Sequence, residues 1–286
     1  MMLQKLFIKI CITQFFIFNI FYAKNIDAII PYFNVPTKSD LKNNSLALGQ
    51  KAYQLLYFGQ LKDSLRLAEL AVSINDNDER LWALLAEVQL ANNLNDKALT
   101  SIKKGKILNP KMSELYFAES SIYIKQKKRG KAKVSLIQGL KLNPQNNTAI
   151  FQLANIFLIE KNYKEALKNF NEAIEINPLF WQAINNKGLI YFELGKIKLS
   201  IENFEKAIEI ETNAEPILAL AAVLQNEDSN QAILLARKAL KLDPNYVDKD
   251  FRKEQLWGEK LQLATEKLFQ KQELEKDINS AKLYKN

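Results

Sequence analysis

The feature that most constrains this sequence is a period. The residues that end helical patterns, Asp76, Pro110, Pro144, Pro178, Thr212 and Pro244, recur at intervals of 34, 34, 34, 34 and 32 residues. Proline stops a helix because it has no backbone N–H to donate and its ring crowds the preceding turn. Each interval reads as two helices around a short turn. In residues 147–180, Ile150, Leu153, Ala154 and Phe157 share one helical face. Ala166, Leu167, Phe170, Ala173 and Ile174 share another, with Lys161, Asn162 and Tyr163 between them. Ala154, Ala166 and Ala173 let two backbones come close while Phe157 and Phe170 fill the gaps. One such hairpin cannot bury its apolar face alone and needs a copy on each side. The expected fold is therefore all-α: a right-handed α-solenoid of six units over residues 45–78, 79–112, 113–146, 147–180, 181–212 and 213–246. The sixth unit is two residues short, and the deletion is expected in its turn, residues 226–230.

The ends of the chain read differently. Lys5 and Lys9 precede an apolar run of thirteen residues, Ile10 to Tyr22. A basic start followed by such a run suits a secretory signal peptide, and it is short for a span of ~20 residues. Residues 1–28 are thus a signal peptide or a retained N-terminal anchor. Both place the remainder across a membrane, in a periplasm or thylakoid lumen rather than the cytoplasm. Residues 29–44, with Pro31 and Pro36, read as an extended linker. Residues 247–270 carry Phe251, Trp257, Leu261, Ala264 and Leu268 at helical spacing. They are expected to form a helix capping the last repeat, with Trp257 as a capping side chain. Residues 271–286 read as a polar tail that frays.

Catalysis finds little support. The 286 residues include no histidine, and the one cysteine, Cys11, lies in the apolar leader. Transition-metal sites and Cys- or His-based nucleophilic chemistry are excluded on that ground. No nucleotide-binding glycine loop occurs. Ser101 and Lys104 form an S-x-x-K pattern without partner motifs, on a second helix. The expectation is a non-enzymatic protein with no metal, no cofactor and no small-molecule substrate.

Individual positions add a family resemblance. The second unit has Trp82, Leu85, Ala86, Ala98, Ile102 and Pro110, and the third Tyr116, Tyr123, Ala132, Leu136, Gly139 and Pro144. The fourth has Leu153, Ala154, Phe157, Ala166, Phe170, Ala173 and Pro178, and the fifth Gly188, Tyr191, Gly195, Phe204, Ala207 and Thr212. The first and sixth are weaker, with Ala52, Gly59, Ala68, Ala71 and Asp76, and with Ala232, Ala239 and Pro244. This pattern resembles the tetratricopeptide repeat (TPR) family. Glu119 and Lys187 depart from it where Leu is usual. The resemblance implies that first helices line a concave face that binds peptides or partner helices. The residues placed there are Phe117, Phe151, Gln152, Asn155, Asn185, Asn186, Leu189 and Phe192. Amides beside aromatics suit a peptide backbone. Asn155 and Asn186 match two amides of TPR domains that clamp a chaperone's C-terminal carboxylate. Phe151 stands where the first clamp lysine would be, and the sixth unit's first helix has no Lys or Arg, so that reading is rejected. The stretch FRKEQLWGEKL, residues 251–261, resembles the closing stretch of certain cyanobacterial and plastid TPR proteins. That resemblance implies a membrane-associated assembly factor for photosynthetic complexes.

The last feature is a basic run with six charges in nine residues: Lys125, Lys127, Lys128, Arg129, Lys131 and Lys133. It spans the turn of the third unit and reads as a solvated turn, or as a surface for anionic lipid or an acidic partner. Nucleic acid is not the expected partner, because aromatics do not interleave the charges.

Overall fold

The computed structural model describes residues 37–285, and these contain fifteen α-helices and no strand. They fall into two compact units that divide between Asn92 and Asn93. The apolar leader and the start of the linker lie outside the described residues.

The first unit holds α1 (Lys38–Tyr57), α2 (Leu61–Ile74) and α3 (Glu79–Ala91). Thr37 caps α1 through a reciprocal bond with Asp40, which fixes the helix start seven residues earlier than the expected repeat boundary. Residues 38–44 are therefore helical, not linker. Ala52, Ala68, Ala71, Val72, Leu81, Leu85 and Val88 form the core. Trp82 Nε1 donates to the Asp76 carbonyl at 2.7 Å, tying the aromatic of one repeat to the stop of the preceding one.

The second unit begins with α4 (Asn95–Leu108). The hairpins follow as α5 (Ser113–Lys125) with α6 (Arg129–Leu142), α7 (Asn147–Ile159) with α8 (Tyr163–Ile176), α9 (Trp181–Glu193) with α10 (Ile197–Ile210), and α11 (Ala214–Leu224) with α12 (Ser229–Leu242). Each second helix packs on the first helix of the next pair. Tyr116 repeats the bond of Trp82, donating to the Pro110 carbonyl at 2.9 Å. The hairpin turns of the first five repeats pass through a left-handed residue: Gly59, Asn93, Lys127, Lys161 and Gly195, with φ of 73°, 61°, 57°, 55° and 74°. In the third repeat the Lys128 N–H then closes onto the Tyr123 carbonyl at 2.8 Å, as a Schellman ending requires.

Small residues set the helix spacing. Gly188 faces Phe204 so closely that a Cβ there would lie 2.6 Å from the Phe204 ring, and Gly139 faces Phe117 in the same way. Glu119 accepts from Lys106 Nζ at 2.7 Å and from Ser135 Oγ at 2.6 Å, which satisfies a carboxylate at a usually apolar position. Lys187 is half-buried, and burial followed by the nearby Lys206 pushes its amine pKa down.

The sixth repeat departs from the expected deletion. The connection before α11 is three residues instead of four, and α11 has eleven residues where α9 has thirteen. The turn after it is one residue longer. The loss thus falls in the connection and the first helix, not in the turn.

The C-terminal region also differs from expectation. Residues 247–270 are not one capping helix. A 3-10 turn (Pro244–Val247) leads into α13 (Lys249–Glu254), and the chain breaks at Leu256, whose φ is 66°, before α14 (Glu259–Phe269). A second 3-10 turn (Gln272–Leu274) precedes α15 (Glu275–Tyr284). This last helix lies in the expected frayed tail, yet buries Ile278 and Ala281 against α12 and the first 3-10 turn. Arg237 Nε pins it through Asp277 at 2.9 Å. The cap is α15; α14 goes elsewhere.

Candidate functional site

The inner face of the second unit is made by the first helices α5, α7, α9 and α11. The structure spreads the eight expected groove residues over three environments. Phe117 turns away, toward Gly139 on α6. Phe151 joins the core, its ring centroid 5.7 Å from that of Phe170 and 4.7 Å from that of Phe180. Gln152 and Asn155 are half-buried and three residues apart on α7, so they share a face. Asn185, Asn186 and Leu189 are buried, and Phe192 packs on the C-terminal core. For these four the expectation of an open groove is corrected.

The physical reason is α14. It lies across α9 and α11, on the face where a ligand was expected. Every residue of α11 is buried between α10, α12 and α14. Leu256 packs into the cluster of Ile150, Ala154, Leu158 and Ile190. Trp257 Nε1 donates to Glu215 Oε1 at 3.3 Å. Gly258 comes so near Glu193 that a Cβ would clash with its carboxyl. Glu193 Oε1 then accepts from the Leu261 N–H at 3.1 Å, while Gln225 Nε2 donates to the Ala264 carbonyl at 2.6 Å. The face thus grips the segment partly by its backbone.

Glu215 is the buried carboxyl of this site. Burial, set against hydrogen bonds from Trp257, Asn185 and Tyr246, raises its carboxyl pKa from 4.5 to about 7. Burial and the neighbouring Glu215 carboxyl push the Tyr246 phenol well above its usual value. Asn186 Nδ2 donates to Asn155 Oδ1 at 2.9 Å, and Asn185 Nδ2 to Asn186 Oδ1 at 3.3 Å. A polar ladder therefore runs from Asn155 on α7 through α9 to Glu215 on α11. The two amides that matched a carboxylate clamp are bonded to each other.

Arg252 organises the segment itself. It is fully buried and donates to the carbonyls of Tyr246 at 2.7 Å and Val247 at 3.0 Å, to Gln262 Oε1 at 3.0 Å, and to Glu266. Arg252, Glu193, Glu215 and Gln225 were missed in the sequence. AEPILALAAVL was a signal for a cover, because apart from Glu215 it is apolar on every side, and such a helix must be covered on every side.

The basic residues stay together at one turn. Lys127 is its left-handed residue, and Lys128 and Arg129 open α6, all exposed. Lys125 donates to Asn93, Lys131 sits 5.5 Å over the Tyr123 ring, and Lys133 pairs with Glu160 at 2.7 Å. The first turn of α6 has no acid, so these cations oppose the helix dipole. Among the described residues no cluster of His, Cys, Asp or Glu could hold a metal, and no helix is long and apolar enough to cross a membrane.

Comparison with known families matches the tetratricopeptide repeat at residues 113–146, 148–180 and 182–213. The chain carries tetratricopeptide repeats. Solved structures show the same fold. A Pseudomonas aeruginosa pilF structure aligns with a TM-score of 0.65 at 15% identity, covering 76% of this chain and 98% of its own. YrrB, described as a TPR protein with an unusual peptide-binding site, aligns at 0.55 and 18%, covering 70% and 98%. MamA aligns at 0.51 and 21%, covering 56% and 94%. No curated protein matches the sequence. The repeats make the chain a protein-interaction scaffold.

Proposed function

We propose that this scaffold takes a segment of a partner protein on the inner face of α5 and α7, beside the part already covered by α14. One observation carries the reading: the same face binds a segment of its own chain through apolar anchors and side-chain bonds to backbone groups. Gln152 continues that chemistry onto α7 with an amide that can both donate and accept, beside Asn155, whose Oδ1 already accepts from Asn186. The likeness to YrrB, described as having an unusual peptide-binding site, agrees with it. No catalytic step is assigned. A photo-crosslinking residue at Gln152 should capture a protein partner in native extract, and one at exposed Glu172 on α8 should not. Equal capture at both positions, or capture at Glu172 alone, would refute the inner-face reading.

A second reading concerns the basic turn. Lys127, Lys128 and Arg129 are exposed at a helix start where positive charge is disfavoured, so folding does not account for them. An anionic membrane surface would use them, consistent with an exported or anchored chain whose leader lies outside the described residues. Replacing the three with Gln should abolish co-flotation with anionic vesicles at low salt; unchanged flotation rejects this reading.

A further inference from the structure

The outer side of the second unit carries a charge asymmetry that its packing does not use. α4, α6, α8 and α10 bury Ala98, Ala132, Ala166 and Ser200 at equivalent positions, so their outward stripes are in register. On α4 the stripe presents Lys97, Lys103 and Lys104, and on α6 it presents Lys131 and Lys141. α4 contains one acid, Asp96, and α6 contains none. From α4 to the end of α6 the chain has twelve basic and three acidic residues, a net of +9 where the whole chain has +8. The sign then changes. The same stripe on α8 presents Glu165, Glu172 and Glu175 with Lys168, and on α10 Glu202, Glu205 and Glu209 with Lys206. None of these stripe charges is in an ion pair among the described residues. On α12 the stripe is basic again with Arg237, Lys238 and Lys241, but α15 packs on that helix and its Asp277 takes Arg237. Beside the change of sign, α6 exposes Val134 and Ile137 by 60% and 38%.

Like charges on neighbouring helices repel, so segregated signs cost the folded chain something that interspersed signs would not. An anionic membrane fits the basic half of this face, but laid across it would meet Glu172 and Glu175 on the next helix. A partner that fits both halves carries the two signs side by side in opposite order, and a second copy of this chain does so. We propose that the outer face of α4, α6, α8 and α10 is a self-complementary contact between two copies of this chain, related by a two-fold axis running along the helices between α6 and α8. That operation lays α6 on the partner's α8 at equal height and α4 on the partner's α10. Lys131 then meets the partner's Glu165, and Lys141 the partner's Glu175, each pair occurring twice by symmetry. Val134 and Ile137 lie between the two pairs, Val134 over the aliphatic stem of the partner's Lys168. Lys103 comes over the partner's Glu205. One like pair, Lys104 with the partner's Lys206, opposes the contact. The contact does not rest on the inner-face reading and leaves the inner face and the basic turn uncovered.

The test is sedimentation equilibrium of the full chain. Wild type should form a dimer whose dissociation constant rises about tenfold or more between about 0.05 M and 0.5 M salt, because exposed charges are screened. Lys131→Glu with Lys141→Glu makes the α6 stripe acidic, and Glu165→Lys with Glu175→Lys makes the α8 stripe basic. Each variant alone should be monomeric, since like charges then face each other across the axis. An equimolar mixture of the two should restore a dimer, because both α6–α8 contacts are again of opposite sign. Circular dichroism checks that each variant keeps its helices. A wild type that stays monomeric at low salt overturns the proposal. So does a dimer that survives either reversal, since it uses another surface, or a mixture of two helical variants that stays monomeric. A crosslink from Glu172 to a second copy belongs to this contact; only capture of a different protein there bears on the inner-face reading.

Discussion

Glu215→Gln should remove a pH dependence built into the site. Glu215 is buried at the start of α11, and Trp257, Tyr246 and Asn185 bond to it. Its carboxyl is raised from 4.5 to about 7, so the folded chain holds a proton that the unfolded chain releases. Stability from that proton is fully present below pH 4.5 and is lost as pH rises through 7. The whole difference is about 3 kcal/mol, from 1.36 kcal/mol per pH unit of displacement. Glutamine keeps an acceptor for the indole and carries no charge at any pH. The variant should match wild type near pH 4.5 and exceed it by about 3 kcal/mol at pH 8. Urea unfolding of both proteins at half-unit steps gives the difference directly, and titrations common to both cancel. A difference that stays flat from pH 4.5 to 8 would refute the assignment of a neutral, buried Glu215.

Four further outcomes follow from geometry. Lys127→Gly relieves a left-handed non-glycine residue at φ 57° and should stabilise the third repeat by up to about 1 kcal/mol; a loss in thermal unfolding contradicts this. Gly188→Ala would drive a Cβ to within 2.6 Å of the Phe204 ring and should cost about 1–3 kcal/mol. Gly130→Ala, with no atom within 4 Å of its Cβ, should gain about 0.5–1 kcal/mol of helix propensity; equal effects of the two in urea would show that close packing is not the cause. Arg252→Met leaves buried acceptors unpaired and should cost about 3–5 kcal/mol. Hydrogen exchange should then rise in residues 246–266 while α5 to α8 keep their protection. A uniform rise would show that Arg252 does not act locally on this segment.

The repeat was legible because its cause is local. Stop residues, turn positions and small-residue faces repeat along the chain, so the hairpins from α2 to α12 lie where the period puts them. Gly188 and Gly139 were readable as small, but the rings that need their space, Phe204 and Phe117, come from second and first helices respectively. Only packing tells which way Phe117 turns. The inner face was misread for a more general reason. Asn185, Asn186 and Leu189 occupy inward positions of α9, and register alone makes such positions open. Whether they stay open depends on a segment more than sixty residues later in the chain, which periodicity cannot connect to them. Two signs nevertheless lay in the sequence. AEPILALAAVL has no polar side, although one hairpin helix in a stack normally keeps one face toward solvent. FRKEQLWGEKL has a glycine just after its tryptophan, which a continuous capping helix does not need. Read together, they describe a helix that lacks a cover and a broken helix that lacks a role. Glu215 lies in the first of these helices, and a buried carboxyl is tolerable only where other elements bring donors to it. Trp257 and Tyr246 bring two of them, and both arrive with the segment that covers the face.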